Sequence, residues 1–158
     1  MKKIINTLIL SICISMILSF SVKAKDSVTI GMRLEPAPGL DPTAGAAAAI
    51  SQVTWYNIFE GLTRISEKGV VGPMLASSWN VSNDGLTYSF KLVKGVKFHD
   101  GAEFSSEDVK FSFERAAGEE SKNKNKKMYR SIASIDTPDA HTVVIKLKKR
   151  SALFLFKL

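Results

Sequence analysis

The chain has 158 residues, of which 45% are hydrophobic and 23% are charged, and its formal net charge is +7. This composition is close to the globular average, so a packed core is expected and disorder is not the default. The length fits one domain or a part of something larger.

The first segment has the three-part pattern of a secretory signal peptide. Met1-Lys2-Lys3 is cationic, an apolar run extends from Ile4 to Val22, and Val22-Lys23-Ala24 has the residue types that a signal peptidase reads. We therefore expect residues 1–24 to be a signal peptide that is cleaved near Ala24. An uncleaved membrane anchor is the alternative, because the run approaches the ~20 residues that a spanning helix needs.

Cleavage would remove three of the 22 basic side chains and lower the formal charge from +7 to +4. Much of the remaining excess lies between Lys122 and Lys127, a run with two asparagines and no aromatic residue. Such a run is typical of a solvated loop, so we expect no nucleic-acid partner. The one cysteine, Cys13, lies in the signal segment, so disulfides and thiolate sites are excluded from the exported part.

The alternation of apolar and polar residues from Ser27 to Leu34 predicts a half-buried strand. Three prolines and a glycine between Glu35 and Pro42 then predict an irregular loop. Ala46 to Phe59 has helical composition, and Gly61 stands where a helix stop is expected. The aromatic pair of this helix, Trp55-Tyr56, is predicted to lie in the core.

The next elements are predicted to be short strands and hairpins. Leu62 to Ile65 predicts a strand that returns through Val70-Val71. Ser82-Asn83-Asp84-Gly85 predicts a tight reversal between two strands in the range Trp79 to Leu92, with one dry and one wet face. Gly95 to Gly101 predicts a further strand that ends in an Asp-Gly turn.

A capped helix follows. Ser105 and Asp108 have the spacing of a capping box, and Val109, Phe113 and Ala116 form an apolar stripe on a helix that ends near Gly118.

A last hairpin is predicted from Ile132-Ile135 and Thr142-Leu147, with a turn at Thr137-Pro138-Asp139-Ala140. The terminal stretch from Ser151 to Leu158 is strongly apolar, and we expect it either to continue into a missing element or to form a buried terminal strand.

The patterns of catalysis and metal binding are missing from the sequence. His99 and His141 are far apart and stand in strand and turn contexts, so we expect no metal site and no cofactor. Neither a nucleophile elbow nor a glycine-rich phosphate loop occurs, and the carboxylates near Asp108 do not form a glycosidase-like pair. We therefore expect the protein not to be an enzyme and to have no catalytic residues.

Four linked segments resemble the family 5 extracellular solute-binding proteins of ABC importers, the peptide- and nickel-binding type. The matching segments are Tyr56–Arg64, Gly72–Trp79, Ser82–Leu92 and the longest one, Gly95–Phe104 continued by Ser106–Arg115. Val93 departs from the family pattern, in which arginine is common at that position.

The resemblance implies an α+β fold, the N-terminal part of a type II periplasmic-binding-protein-like fold, with a mixed sheet, antiparallel hairpins and short helices. Residues 25–60 would begin the ligand-binding lobe, and residues 61–158 would form an accessory α+β domain that stops before the second lobe. The implied function is the periplasmic substrate-binding component of an ABC transporter, which captures peptides or similar small solutes and delivers them to a permease in the inner membrane. We expect it to act as a monomer.

By the same resemblance, the ligand-binding residues in this part of the chain are expected at the strand end and loop Met32-Arg33-Leu34-Glu35-Pro36. Glu35 is the candidate partner of a ligand's amino group, and an ordinary surface charge is an equally good interpretation of it. The alternative for the whole chain is an autonomous small exported α+β protein with a structural or scavenging role and no transport function.

Overall fold

The computed structural model describes residues 26–37, 39–42 and 48–158. The chain divides into two compact units, residues 1–31 and 32–158, and each is described by itself. The predicted signal peptide at residues 1–24 lies outside the described residues. Within the described ranges, no helix has the length and apolarity that crossing a bilayer requires.

The predicted strand from Ser27 to Leu34 is wrong. Residues 26–34 have no regular secondary structure, and the side chains of Val28 and Ile30 are 85% and 77% exposed. A strand needs a neighbour for its backbone N–H and C=O groups, and none of the described strands pairs with this segment.

The second unit has α+β architecture, as predicted. Its elements in chain order are α1 (Ala48–Thr54), β1 (Thr63–Ile65), β2 (Val71–Pro73), β3 (Ala76–Val81), β4 (Thr87–Leu92), α2 (Ser106–Ala117), α3 (Lys126–Tyr129), β5 (Ile132–Asp139), β6 (Thr142–Leu147) and a 3₁₀ turn (Leu155–Lys157). Strands β1 and β2 form a two-stranded sheet, and the others form a four-stranded sheet in the order β3-β4-β6-β5. Every pair of named strands is antiparallel, and the one parallel pairing among the described residues is an isolated bridge between Trp55 and Phe59.

The four-stranded sheet is organised around β4 and β6, which pair with Tyr88 opposite Ile145 and Phe90 opposite Val143. Alternate residues of both strands are buried on one face, which confirms the predicted dry face. The buried members are Tyr88, Phe90, Leu92, Val143, Ile145 and Leu147. This face forms the hydrophobic core of the unit.

Helix α2 packs on that core through the predicted stripe. Val109 and Ala116 are buried, and Phe113 is partly buried against the core. At the N-terminus of the helix, the carboxylate of Asp108 accepts hydrogen bonds from the backbone N–H of Ser105 at 2.8 Å and from its hydroxyl at 2.9 Å. The capping box is therefore confirmed, and it fixes where the helix begins.

Two turns in the sheet are closed by an aspartate. In the β3–β4 turn, Gly85 has a φ of +66°, and the Asp84 carboxylate accepts a hydrogen bond from the N–H of Leu86 at 3.0 Å. In the β5–β6 turn, Asp139 accepts a hydrogen bond from the N–H of His141 and another from the hydroxyl of Thr142, both at 2.8 Å.

The second turn lies later than the predicted Thr137–Ala140. Strand β5 continues through Pro138 to Asp139, which is possible because β5 is an edge strand.

The strand predicted from Gly95 to Gly101 is also not formed. The segment has one bridge, between Lys97 and Glu103, and then the predicted Asp-Gly turn, in which Gly101 has a φ of +90° and donates a hydrogen bond to Phe98 at 2.9 Å. The Asp-Gly turn is therefore confirmed, but a single bridge is too little pairing to form a strand.

The terminal stretch packs on the core without becoming a strand. Phe154 is fully buried, and its ring centroid lies 4.8 Å from that of Tyr88. Leu155–Lys157 forms the 3₁₀ turn, and the hydroxyl of Thr63 donates a 2.7 Å hydrogen bond to the carbonyl of Leu155. Gly61 allows this approach, because a Cβ atom there would lie 2.2 Å from the backbone oxygen of Leu158.

Burial of Phe154 predicts a large loss of stability for Phe154→Ala. Removing a fully buried phenylalanine ring leaves a cavity and costs about 3–5 kcal/mol. The matched control is Phe156→Ala, two residues further along the chain, whose side chain is 43% exposed. We expect that control to change the free energy of unfolding by about 1 kcal/mol or less. Urea unfolding followed by circular dichroism measures both, and equal losses would contradict the described packing.

The turn aspartates predict a loss of stability in acid. Hydrogen bonds from Ser82 and from the N–H of Leu86 lower the pKa of Asp84, and those from Thr142 and the N–H of His141 lower the pKa of Asp139. A carboxyl group with a lowered pKa stabilises the fold above its unfolded pKa, and this contribution is lost as the pH falls through the folded value.

We therefore expect the urea midpoint to decrease below about pH 4. The decrease should be smaller in the double variant Asp84→Asn, Asp139→Asn, because it has no carboxyl group at either of these positions. The same acid dependence in the variant and the wild type would show that these turns do not carry the effect.

Candidate functional site

The five residues predicted to bind ligand, Met32 to Pro36, lie on an irregular and mostly exposed segment. Met32 is 37% exposed and Leu34 is 65% exposed. A backbone hydrogen bond of 3.0 Å from the N–H of Ala37 to the carbonyl of Glu35 bends the chain at this point. The predicted residues are therefore accessible to a ligand, but they lie on a loop and not at the end of a strand.

This loop approaches the rest of the unit at Asp41 and Pro42. The Asp41 carboxylate lies 3.6 Å from the guanidinium of Arg115 on α2. Pro42 lines a cavity that is described below, whereas none of the residues from Met32 to Pro36 lines it. The structure thus brings the loop, but not its predicted binding residues, to a concave surface.

The chain after α1 adopts a strained turn that leaves the rings of Trp55 and Tyr56 half-exposed. The Thr54 carbonyl accepts hydrogen bonds from the N–H groups of Ile58 and Phe59, both at 3.0 Å, and Tyr56 has a φ of +62°. The helix therefore ends at Thr54 and not near Gly61. Trp55 and Tyr56 are each 50% exposed, so their predicted place in the core is wrong.

A cavity of about 260 Å³ opens beside this turn, and we call it the aromatic cavity. Its apolar wall includes Pro42, Trp55, Tyr56, Phe59, Ile65 and Phe156. Its polar wall includes Glu60, Asn123, Lys124, Asn125, Tyr129 and Lys157. This combination of a mostly apolar surface with a few polar groups is typical of small-molecule sites.

The lysine-rich run supplies one side of the aromatic cavity. The ammonium of Lys124 lies 5.4 Å from the centroid of the Trp55 ring and 3.4 Å from the hydroxyl oxygen of Ser51. At this distance the cation interacts favourably with the face of the indole ring. Lys124 thus connects the run to α1 and to Trp55, and the end of the run is part of α3, so the interpretation of Lys122 to Lys127 as a plain solvated loop is incomplete.

Tyr129 of α3 lines the aromatic cavity. Its ring contacts Phe113 of α2 edge-on, with centroids 5.2 Å apart, and burial raises the pKa of its hydroxyl. The hydroxyl therefore stays protonated over the neutral range and serves as a neutral hydrogen-bond donor. This contact connects the cavity wall to the hydrophobic core.

A second cavity of about 370 Å³, the helix cavity, lies between α2 and the segments at residues 58–62 and 96–99. Phe98 and Phe104, whose ring centroids are 6.1 Å apart, are part of its wall together with the core residue Val109. Two carboxylate residues, Glu60 and Asp108, line the helix cavity, and the carboxylate of Asp108 is already used in the capping box.

The described residues form no group of three His, Cys, Asp or Glu side chains that could hold a metal ion. His99 lines the helix cavity, and His141 lies in the β5–β6 turn, where its Nδ1 atom is buried without a hydrogen-bond partner. Both cavities offer apolar contact and hydrogen bonds. This is the chemistry of reversible binding.

Sequence reasoning did not single out the residues that line the aromatic cavity. The sequence predicts that Lys124 and Asn125 lie in a solvated run, and it predicts no role for Tyr129. One available signal was the apolar pair Met128-Tyr129 directly after a polar run. Such a pair indicates that the run returns to the core.

Comparison with known proteins identifies the family. The sequence model described as bacterial extracellular solute-binding proteins, family 5 Middle, matches residues 70–158, which is more than half of the chain. The glutathione-binding protein GsiB of Escherichia coli K12 is 33% identical over 147 residues, covering 92% of this chain and 28% of that protein. The chain thus spans about a quarter of the length of the curated relatives that it matches.

Two solved structures have the same fold in the matching part. NikZ from Campylobacter jejuni, in complex with Ni(L-His), is 35% identical with a TM-score of 0.67, covering 75% of this chain and 24% of that one. The periplasmic binding protein DppA from Helicobacter pylori, in complex with the peptide STSA, is 31% identical with a TM-score of 0.64, covering 75% of this chain and 27% of that one. The chain belongs to the family 5 bacterial extracellular solute-binding proteins.

Proposed function

We propose that this chain is the substrate-binding component, or the N-terminal part of one, of an ABC importer that captures peptides or similar small solutes in the periplasm. The observation that carries the proposal is the family match over residues 70–158. The expected export signal at residues 1–24 is consistent with it. Delivery of the solute would be to an inner-membrane permease, and the protein would act as a monomer.

The ligands named for the three relatives described above share a chemical feature. Glutathione, the peptide STSA and L-histidine in its nickel complex are all built from amino-acid units. Such ligands carry amino and carboxylate groups at fixed spacing from side chains of variable size. A receptor for them needs a few charged groups and a pocket that tolerates different side chains.

In this proposal, residues 25–60 begin the ligand-binding lobe and residues 61–158 form the accessory domain. The loop from Met32 to Pro36 contacts the ligand, and the carboxylate of Glu35 binds its amino group. The exposure of this loop supports the assignment, because a charged group at the surface binds an ammonium without a buried, unpaired charge in the empty state.

We further propose that the protein binds its ligand without changing it. The described residues include no metal cluster, and each of the turn aspartates is used in closing its own turn. Transport then requires only reversible binding, and in a two-lobed receptor the release step is the opening of the hinge.

A structural or scavenging role for an autonomous exported protein is the second candidate. One observation favours it, which is that the described residues from Leu62 to Phe154 contribute to one hydrophobic core. Such a protein would be stable and would not bind peptides.

The role of Glu35 predicts that Glu35→Gln weakens binding of a peptide with a free amino terminus. Loss of a hydrogen bond to a charged group costs about 1.5–3 kcal/mol, so we expect about a 10- to 100-fold increase in Kd. An N-acetylated peptide, which has no ammonium, should bind the wild type and the variant equally. Isothermal titration calorimetry on the full chain with a mixed set of di- to tetrapeptides measures these constants.

The matched control is Glu67→Gln, an exposed glutamate in the β1–β2 turn. Its Kd should equal that of the wild type. If Glu35→Gln binds like the control, Glu35 is an ordinary surface charge. Absence of heat with every peptide would favour the structural or scavenging role.

A further inference from the structure

Positive charge is concentrated in one part of the sequence. Residues 122–150 contain nine lysine and arginine side chains and two aspartates, which is a formal charge of +7. From residue 25 onward the chain carries +4, so all of its other residues together carry −3. A charge separated in this way creates a basic region that attracts anions, which an evenly mixed surface of the same net charge does not.

The fold gathers six of these nine cations at one end of the four-stranded sheet. The ammonium of Lys148, just after β6, donates a 2.8 Å hydrogen bond to the carbonyl of Arg130. The N–H of Arg130 in turn donates a 2.9 Å bond to the carbonyl of Lys126 on α3. We call this surface the basic corner, and its members are Lys126, Arg130, Lys146, Lys148, Lys149 and Arg150.

The basic corner extends from there to the β3–β4 turn. Lys146, near the end of β6, stands opposite Thr87, the first residue of β4. The guanidinium of Arg150 donates a hydrogen bond to the carbonyl of Asp84 in the turn. The carboxylate of Asp84 interacts with both cations, but it is already used within the turn, where it accepts a hydrogen bond from the N–H of Leu86 at 3.0 Å.

The cations of the basic corner are held in place without being neutralised. Among the described residues the one salt bridge joins Arg115 to Asp41, so none of their carboxylate oxygens lies within 4.0 Å of these six cations. The hydrogen bonds of the corner go to backbone carbonyl groups instead, as in the 2.9 Å bond from Nε of Arg130 to Ala117. Such a bond orders a side chain, and the remaining N–H donors of each ammonium or guanidinium stay available.

These features fit an extended array of anions. Five of the six side chains are exposed and Lys126 is partly exposed, as expected for cations without a carboxylate partner. The cations are spread over α3, β6 and the chain around them, which is more than one small anion contacts. Residues 146–150 include no aromatic side chain, and Tyr129 beside Arg130 packs on Phe113, so stacking of nucleic-acid bases has no support.

We propose that the basic corner binds the surface of a membrane that contains anionic phospholipids, with Lys146, Lys148 and Lys149 next to the phosphates of the headgroups. The contact is electrostatic and inserts no apolar side chain into the bilayer. For an exported receptor, it keeps the chain beside the membrane in which the proposed permease lies. The inference goes beyond the proposed function and does not depend on which solute is bound.

Co-sedimentation with vesicles tests the inference on the protein recovered from the periplasmic fraction. At low salt we expect binding to vesicles of phosphatidylglycerol and phosphatidylcholine, and none to vesicles of phosphatidylcholine alone. The Debye length falls from ~10 Å at about 0.1 M salt to ~3 Å at about 1 M, so the binding should be lost over this range. Equal binding to both kinds of vesicle, or binding that salt does not weaken, would trace the contact to an apolar segment and overturn the inference.

The triple variant Lys146→Gln, Lys148→Gln, Lys149→Gln should bind the anionic vesicles about 100-fold more weakly, because each cation near the surface contributes about 5-fold. All three side chains are exposed, and circular dichroism checks that the variant folds. The salt dependence of the unchanged protein tests the inference independently if the variant does not fold.

The matched control is Arg64→Gln, Lys68→Gln, Lys97→Gln, which removes the same number of exposed charges elsewhere. We expect it to weaken the binding by less than about 5-fold. Equal losses in the two triple variants would show that binding follows net charge and not the basic corner. Absence of binding to anionic vesicles at low salt would also overturn the inference, and retention on a short DNA duplex in that case would assign the corner to a nucleic acid. Peptide binding measured by calorimetry is independent of these outcomes.

Discussion

The pairing of β4 with β6 is the contact on which the second unit depends. Tyr88 stands opposite Ile145 and Phe90 opposite Val143, so that both strands direct their buried side chains to the same face. A shift of one residue in this register would move every one of these side chains to the polar face. Helix α2 and the ring of Phe154 pack on the face that this register creates.

The aromatic cavity is connected to that core indirectly, through Phe113 and Tyr129. Phe113 of α2 contacts the core on one side and the ring of Tyr129 on the other. Tyr129 belongs to the four-residue helix α3, which is too short to be stable alone and takes its position from this contact. Lys124 then connects the run before α3 to Trp55 after α1. The cavity wall is therefore made of short elements held by side-chain contacts, and a ligand that contacts both sides would add to their stability.

The features that the sequence predicted well depend on neighbours in the chain. The Asp-Gly reversal at Gly85 and the capping box at Ser105 need only a few consecutive residues, and alternation along β4 and β6 needs only the period of a strand. The strand predicted from Ser27 to Leu34 is wrong because a strand needs a partner strand, and the alternation of apolar and polar residues does not show which segment would pair with it. The wall of the aromatic cavity was missed for a related reason: composition indicates that Trp55 and Tyr56 bury surface, but not whether core or ligand covers them.

The end of α1 explains why the wall of the aromatic cavity could not be predicted from the sequence. A helix that continued to Phe59 would have placed the aromatic residues on successive faces, and some would have met the core. The helix instead stops at Thr54, whose side-chain hydroxyl donates a 2.8 Å hydrogen bond to the carbonyl of Ile50. Such a bond competes with the helical pattern, and the following residue pair turns outward through the positive φ of Tyr56. One buried threonine and one strained tyrosine thus convert a segment with core composition into the rim of a cavity.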